Sequence, residues 1–383
     1  MVIALINARV LGEQGISEGV VVLLDGARIL DVVPAADPRC ARVEQIDLKG
    51  QLLLPGFIDA QVNGGGGVLF NDAPSVESIR AIGAAHRRFG TTGFLPTLIS
   101  ADLDTIAHAI EAVRGAIDAG VPGVLGIHIE GPFLSVARKG VHDPAMLREL
   151  DPSAHGLLTS LRNGRTLLTL APEMTTPHII GELVAAGVIV SAGHTNASYA
   201  EIRAALDHGL TGFTHLFNAM SQLTGREPGT VGAALEDTRS WCGIIVDGEH
   251  ADPVVLRIAL RCRPHNRFLL VTDAMPSVGT GEDHFVLQGR RITVRGHACL
   301  DEDGRLAGSN IDMASCVRNA MRMLQIPLAE AVRMASRYPA EFLGLGAELG
   351  RIAPGYRANL VVADADLNIV ETWIDGRRQS ADI

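Results

Sequence analysis

Aromatic residues and cysteines are scarce in this chain of 383 residues. Phe, Tyr and Trp together make up 4% of it, and its five cysteines are widely scattered, at Cys40, Cys242, Cys262, Cys299 and Cys316. No C-x-x-C pair occurs, and the odd number and wide scatter of the cysteines are typical of reduced thiols. We therefore expect reduced, mostly buried thiols and a cytoplasmic location.

Long apolar runs and an excess of basic charge are also missing. No stretch reaches the roughly 18 apolar residues of a membrane span. The opening MVIALINARV has no basic region, and Asn7 and Arg9 interrupt its apolar residues, so we predict no signal peptide. The formal net charge of −10 argues against a broad basic surface for nucleic acid. We expect no nucleic-acid or membrane partner, whereas a small anionic substrate needs only one local Arg.

The 47% hydrophobic content and the 42 glycines are typical of an α/β enzyme. Eight apolar runs of strand length alternate with helical periodicity: LLLPGFIDAQ, TGFLPTL, GVLGIHIE, TLLTLAPE, VIVSAGH, TGFTHLFN, CGIIVDG and RFLLVTDA. This alternation predicts a (β/α)8 TIM-type barrel. A doubly wound open sheet is the alternative, but the chain has neither a G-x-G-x-x-G nor a G-x-x-x-x-G-K-[ST] loop.

The two chain ends have a different character from the middle. Residues 1–51 and 347–383 read as short strands separated by turns such as Asp25-Gly26, and neither part is long enough to form a domain alone. We predict that they combine into a small β-sandwich domain, and that 52–346 form the barrel. Residues 284–308 read as β-hairpins where a helix would be expected, which predicts an insertion near the active face.

Several apolar strands end in polar side chains. Because the carboxyl ends of barrel strands meet on one face, we expect these side chains to lie close together. They are Asp59, Gln61, Asn63, His128, Glu130, Glu173, His194, His215, Asp247, His250 and Asp273. Two histidines and one carboxylate with an open position make a recurring catalytic zinc arrangement, which Glu130, His194 and His215 would supply. Five histidines in helical or loop contexts are predicted to be solvated: His86, His108, His155, His208 and His265.

These residues stand within motifs that run along nearly the whole chain in order. HIEGPF, THLFNAM and VTDAM are the most specific, and LPGFID, KGVH, LAPE, SAGHT, GREPG, DGEH, LAGS and GLGAELGRIAPGYRANLVV accompany them. With them the sequence resembles the amidohydrolase superfamily and, within it, the deacetylases of N-acetylglucosamine 6-phosphate.

The resemblance implies a role for each matching position. Glu130, His194 and His215 would bind one divalent ion per subunit, with zinc preferred and iron(II) second. Asp273 would be the catalytic acid and base, and His142 would stabilise the oxyanion. The substrate would contact Val141, Asn218, Ala219, Arg226, His250, Leu306, Ala307 and Gly308. Arg226 would reach the phosphate site of a neighbouring subunit, which implies a homodimer.

The chain departs from the superfamily pattern at the end of the first barrel strand. Most amidohydrolases have H-x-H there to hold a second metal, whereas this chain has Gln61-Val62-Asn63. Amide carbonyls are poor zinc ligands beside imidazole, so we predict a site with one metal. In another interpretation, both amides merely hydrogen-bond the loop of residues 64–67. The glycines would bring the backbone close to the site or simply make a turn.

The predicted reaction is hydrolysis of the acetamide of N-acetylglucosamine 6-phosphate to glucosamine 6-phosphate and acetate. The galactosamine epimer is an alternative substrate, because no residue in the sequence identifies a group that reads the C4 hydroxyl. A dihydropyrimidinase-like enzyme is disfavoured because none of the eight strands contains the Lys that bridges its metals. A non-catalytic scaffold is the other alternative, supported only by the missing H-x-H.

Overall fold

In the computed structural model, which describes residues 2–379, eight parallel strands form a barrel. The strands are Phe57–Val62, Thr91–Ile99, Gly126–Glu130, Arg165–Leu170, Ile189–Ala192, Gly212–Phe213, Trp241–Ile244 and Phe268–Leu270. Each pairs with the next one along the chain. The last strand returns to the first through a parallel bridge between Val62 and Ala274. The predicted (β/α)8 architecture is therefore confirmed.

Helices cover the outside of the barrel, and many begin at a side chain that caps the free backbone N–H groups. Ser75, Asp102, Thr176, Asp252 and Asp312 each accept such a hydrogen bond. The helices are Val76–Arg87, Leu103–Asp118, His155–Leu158, Pro177–Ala185, Tyr199–Asp207, Gly229–Glu236, Pro253–Cys262, Met313–Leu324, Leu328–Ala335 and Arg337–Phe342. No helix within residues 2–379 is both long and apolar enough to cross a membrane.

Two further sheets come from the chain ends and pack around a shared core. One sheet has the order Arg28–Pro34, Val20–Asp25, Val2–Ile6, Glu44–Asp47. The other has the order Arg377–Gln379, Ile369–Ile374, Leu360–Ala363, Leu52–Pro55, Arg9–Gly12, Gly15–Ser17. Leu5 and Val22 of the first sheet share a buried cluster with Leu53, Leu360 and Trp373 of the second. The predicted sandwich of the two chain ends is therefore present.

The strand Leu52–Pro55 corrects one predicted assignment. The sequence places it in the barrel, but it pairs antiparallel with Leu360–Ala363 in the small domain. The barrel strand begins only at Phe57, after Gly56. A Cβ at Gly56 would lie 2.1 Å from the Thr92 hydroxyl, so the chain crosses from one domain to the other where only glycine fits.

The predicted hairpin insertion is an antiparallel sheet of four strands: His284–Leu287, Arg290–Arg295, Ala298–Leu300 and Leu306–Ser309. Its last strand contacts the segment that follows the eighth barrel strand. The Ser309 N–H donates to the Asp273 carbonyl at 2.9 Å, and the Met275 N–H donates to the Ser309 carbonyl at 2.9 Å. The insertion therefore covers the carboxyl end of the barrel.

Candidate active site

Three predicted metal ligands converge at the carboxyl ends of the barrel strands. Glu130 ends the third strand, and His194 and His215 follow the fifth and sixth. Glu130 Oε1 lies 3.1 Å from His215 Nε2 and 3.4 Å from His194 Nε2, and the two Nε2 atoms are 3.1 Å apart. Ligand atoms bound tetrahedrally at 2.0–2.1 Å lie about 3.3 Å from one another. The cluster therefore has the spacing of a site for one metal ion.

Neighbouring groups orient His194. Its Nδ1 lies 3.0 Å from the Arg138 carbonyl, which places a proton on Nδ1 and leaves the Nε2 lone pair facing Glu130. Glu173 holds the turn after His194, because its carboxylate accepts hydrogen bonds from the Thr195 hydroxyl and the Asn196 N–H. Glu173 thus holds the turn that follows His194 and is not itself part of the cluster.

The charges in the cluster suit a cation. Burial opposes ionisation of Glu130, but the neighbouring imidazoles of His194 and His215 outweigh it and hold the pKa of this carboxyl well below its usual range. Burial likewise opposes protonation of His215, but the hydrogen bond and charge of Glu130 raise the pKa of this imidazole. The carboxylate therefore stays ionised although it is enclosed by the barrel.

Asp273 lies beside the cluster and follows the eighth strand. Its Oδ1 accepts hydrogen bonds from Gln61 Nε2 at 3.1 Å and Asn63 Nδ2 at 2.7 Å. Gln61 Nε2 also donates to Glu130 Oε1 at 3.2 Å. Burial, followed by the charge of Glu130, raises the pKa of Asp273 above the usual range of a carboxyl. Such a carboxyl is suited to taking up and returning a proton.

The interpretation that Gln61 and Asn63 hydrogen-bond the glycine loop is wrong, because their side chains donate to the two carboxylates. The loop is held by other groups, including His86, whose Nε2 lies 2.8 Å from the Gly64 carbonyl. A Cβ at Gly65 would lie 2.8 Å from that same nitrogen, so glycine permits the close approach. His86 is fully buried, which corrects its predicted solvation.

His142 faces the cluster as a neutral donor. Its Nδ1 lies 2.7 Å from the Ser100 hydroxyl and accepts a hydrogen bond from the Ser100 N–H at 3.4 Å, which leaves the proton on Nε2. Burial, then the charge of His194, lowers the pKa of His142 to about 3. Its ring centroid is 4.4 Å from that of His194. His142 therefore presents an N–H beside the predicted metal position.

A cavity of about 340 Å³ joins these groups, a volume within the range of small-molecule sites. It is lined by twelve of the thirteen predicted site residues: Glu130, Val141, His142, His194, His215, Asn218, Ala219, His250, Asp273, Leu306, Ala307 and Gly308. Arg226 lies outside the cavity on an exposed loop.

Two further arginines, Arg138 and Arg305, line the cavity and were missed by the sequence analysis. Their position beside the KGVH and LAGS motifs was the available signal.

Two buried aspartates support the cavity without lining it. Asp247 Oδ2 lies 2.6 Å from His250 Nδ1, so the other ring nitrogen of His250 is directed away from Asp247. Asp59 accepts a hydrogen bond from the Thr272 hydroxyl, and burial raises the pKa of Asp59 to about 7. Asp59 thus joins the first strand to the residue preceding Asp273.

The backbone at the site is strained. Five residues here have the positive φ that side chains other than glycine rarely adopt: His194, His215, Phe217, Ala219 and Asp273. Each such residue costs about 1–3 kcal/mol and persists only where the surroundings enforce it. Three of the five, His194, His215 and Asp273, are predicted to bind metal or transfer the proton, so the strain coincides with predicted functional residues.

Comparison with known proteins gives consistent matches. A family model described as "Amidohydrolase family" matches residues 52–378. An N-acetylgalactosamine-6-phosphate deacetylase of Shewanella sp. (strain ANA-3) is 46% identical over 85% of this chain and 82% of its own length. An N-acetylglucosamine-6-phosphate deacetylase of Haemophilus influenzae is 37% identical over 98% of both chains.

The crystal structure of N-acetylglucosamine-6-phosphate deacetylase from Pasteurella multocida superposes on this chain with a TM-score of 0.95. The two share 36% sequence identity, and the match covers 99% of this chain and 100% of the other. Fold, family match and full-length relatives agree, and the chain belongs to the amidohydrolase family.

Proposed function

We propose that this chain hydrolyses the acetamide of N-acetylglucosamine 6-phosphate to glucosamine 6-phosphate and acetate. The observation that carries the proposal is the cavity in which Asp273 and His142 face the cluster of Glu130, His194 and His215. Full-length relatives named as deacetylases of amino-sugar phosphates support the choice of substrate class.

The proposed cofactor is one divalent ion per subunit, held by Glu130, His194 and His215. Two imidazoles and a carboxylate suit zinc, which we favour, and also iron(II). The orientation of His194 by the Arg138 carbonyl fits a ligand whose Nε2 must stay deprotonated. When bound, such an ion acts as a Lewis acid and lowers the pKa of water towards neutrality.

The chain's own residues then move the proton and stabilise charge. Asp273 takes a proton from the attacking water as the water oxygen bonds to the acetyl carbon. His142 donates its Nε2–H to the oxyanion, and donors of this kind contribute about 10²–10³ in rate. Asp273 returns the proton to the nitrogen as the C–N bond breaks. The products are the free amine and acetic acid, which ionises to acetate.

We further propose that the phosphate is bound by His250 in the cavity and by Arg226 of a second subunit in a homodimer. The Arg226 side chain is exposed on its own subunit, as a residue reaching a neighbour would be. A guanidinium suits a phosphate because it can donate two parallel hydrogen bonds. A cytoplasmic location is proposed as well, because all five cysteines are free thiols.

The galactosamine epimer is a second candidate substrate, favoured by the relative of that name at 46% identity. The experiment that tests the function is acetate release from both N-acetylated hexosamine 6-phosphates, with unphosphorylated N-acetylglucosamine as the control. We expect kcat/KM to be highest on the glucosamine 6-phosphate form. A higher value on the galactosamine form would reverse the assignment, and equal activity without phosphate would refute a phosphate-dependent site.

A further inference from the structure

Gln61 and Asn63 donate to the same oxygen of Asp273, and we call these two residues the amide pair. Both amides lie within 3.1 Å of Oδ1. Oδ2 of Asp273 accepts no hydrogen bond from residues 2–379, and Asp273 lines the cavity. The two oxygens of one carboxylate therefore have different surroundings.

We propose that the amide pair is a positioning device which holds Oδ1 and leaves Oδ2 as the only oxygen that exchanges the proton. This inference rests on the proposed function, because it assigns the proton transfer to one atom of Asp273. Amide N–H groups suit the task, since they stay neutral and keep their hydrogens throughout the working pH range. Neither residue needs to touch the substrate to act in this way.

Gln61 also donates a hydrogen bond to a second carboxylate, that of Glu130. Its two amide hydrogens are directed to two different carboxylates, Asp273 Oδ1 at 3.1 Å and Glu130 Oε1 at 3.2 Å. One neutral group therefore sets the separation between the proposed metal ligand and the proposed proton carrier. It also places the positive end of its dipole between two negative groups in a buried region, where unscreened repulsion would be costly.

The backbone fixes the amide pair relative to Asp273. The Asp273 N–H donates to the Gln61 carbonyl at 3.0 Å, and the Asn63 N–H donates to the Ala274 carbonyl at 2.9 Å. The Thr272 hydroxyl donates to Asp59, which adds a hydrogen bond between the first strand and the residue before Asp273. The ends of the first and eighth strands thus form one unit, which holds the left-handed backbone of Asp273 as well as its carboxylate.

The test uses near-isosteric variants that remove the donors, Asn63→Leu and Gln61→Met. We expect kcat to fall by about 10²-fold, the usual cost of misplacing a catalytic group by an ångström, with KM changed by less than threefold and the metal retained. Asn163→Leu is the matched control, because Asn163 is an exposed amide at the opposite end of the barrel. It should leave kcat unchanged.

A double-mutant comparison shows whether the amide pair acts through Asp273. In an Asp273→Asn background, adding Asn63→Leu should lower the remaining rate by less than about twofold, since the group it positions is already disabled. A further loss as large as in the wild-type background would overturn the proposal. So would loss of metal from the Asn63→Leu variant, because Asn63 donates to Asp273 and to no proposed ligand, and the fall in kcat would then not arise at Asp273.

A structural readout is independent of turnover. Crystal structures of the wild-type and Asn63→Leu proteins should show one orientation of the Asp273 carboxylate in the former and a rotated or divided one in the latter. An unchanged carboxylate in the variant would refute the positioning role. If the wild-type protein releases no acetate from either sugar phosphate, the proposed function fails, and the carboxylate orientations still decide whether the amide pair positions Asp273.

Discussion

The two sides of the cavity contain buried carboxylates with opposite properties. The imidazoles of His194 and His215 hold the pKa of Glu130 well below its usual range, whereas burial raises the pKa of Asp273. Oδ1 of Asp273 accepts hydrogen bonds from two neutral amides. Glu130 therefore remains an anion among imidazoles. Asp273 is closer to the neutral state and can exchange a proton. The partners of a carboxylate, more than its burial, decide which role it takes.

We therefore expect substitutions on the two sides of the cavity to affect metal content and turnover differently. Loss of a ligand should remove the metal and turnover together, whereas loss of the acid should remove turnover alone. Loss of a group that supports a proposed substrate contact, such as Asp247 behind His250, should change substrate affinity rather than rate.

Replacing a proposed ligand should have the largest effect. In His194→Ala we expect metal content to fall well below one ion per subunit and acetate release to fall to background. The loss of metal affinity should exceed the 10–100-fold typical of losing an outer partner of a ligand. Elemental analysis of the purified variant measures this. Full metal occupancy would show that His194 is not a ligand.

Replacing the proposed acid should separate chemistry from metal binding. In Asp273→Asn we expect kcat to fall by about 10²–10⁴-fold, because the proton transfer is lost, while the metal stays bound. Steady-state kinetics and elemental analysis on the same preparation measure both. Substantial turnover in this variant would contradict the role of Asp273.

Removing the neutral donor should give an intermediate effect. His142→Leu removes the Nε2–H and should lower kcat by about 10²–10³-fold with metal content unchanged. Because burial, then the charge of His194, lowers the pKa of His142 to about 3, the ring should stay neutral above that pH, and the ratio of wild-type to variant kcat should not change with pH. The measurement is kcat against pH for wild type and variant, and a variant rate equal to wild type at any pH would refute this role.

The smallest expected effect lies at His250. Asp247→Asn removes the charge opposite His250 Nδ1 and should raise KM by about tenfold, the cost of weakening one hydrogen bond to a charged group, with kcat nearly unchanged. Substrate-dependence curves measure the two constants separately. A fall in kcat at constant KM would instead place Asp247 in the chemical step.

The fold could be predicted from the sequence because each barrel strand is a short apolar run followed by helical periodicity. The error at Leu52–Pro55 arose because LLLPGFIDAQ is one continuous apolar run, and its division at Gly56 depends on the contact with Thr92. The hydrophobic periodicity of one segment does not reveal a contact with a residue in another strand. The domain division itself is a proposal, which we now place at Gly56.

The grouping of the predicted site residues around one cavity could be predicted from the sequence, but their hydrogen-bond partners could not. Residues at strand ends meet on one face whatever their spacing in sequence, which is why twelve of the predicted residues line one cavity. The bonds of Gln61 and Asn63 to Asp273 span more than 200 residues and depend on how the barrel closes. His86 was assigned to solvent because its burial depends on packing against Gly64, which helical context alone does not indicate.

The most direct test of metal-dependent deacetylation is acetate release from N-acetylglucosamine 6-phosphate before and after removal of metal. We expect that the protein as purified releases acetate, that a chelator abolishes release, and that one equivalent of zinc or iron(II) per subunit restores it. Undiminished release from protein shown to be metal-free would refute a metal-dependent reaction. Restoration that requires two equivalents per subunit would contradict the single-metal site.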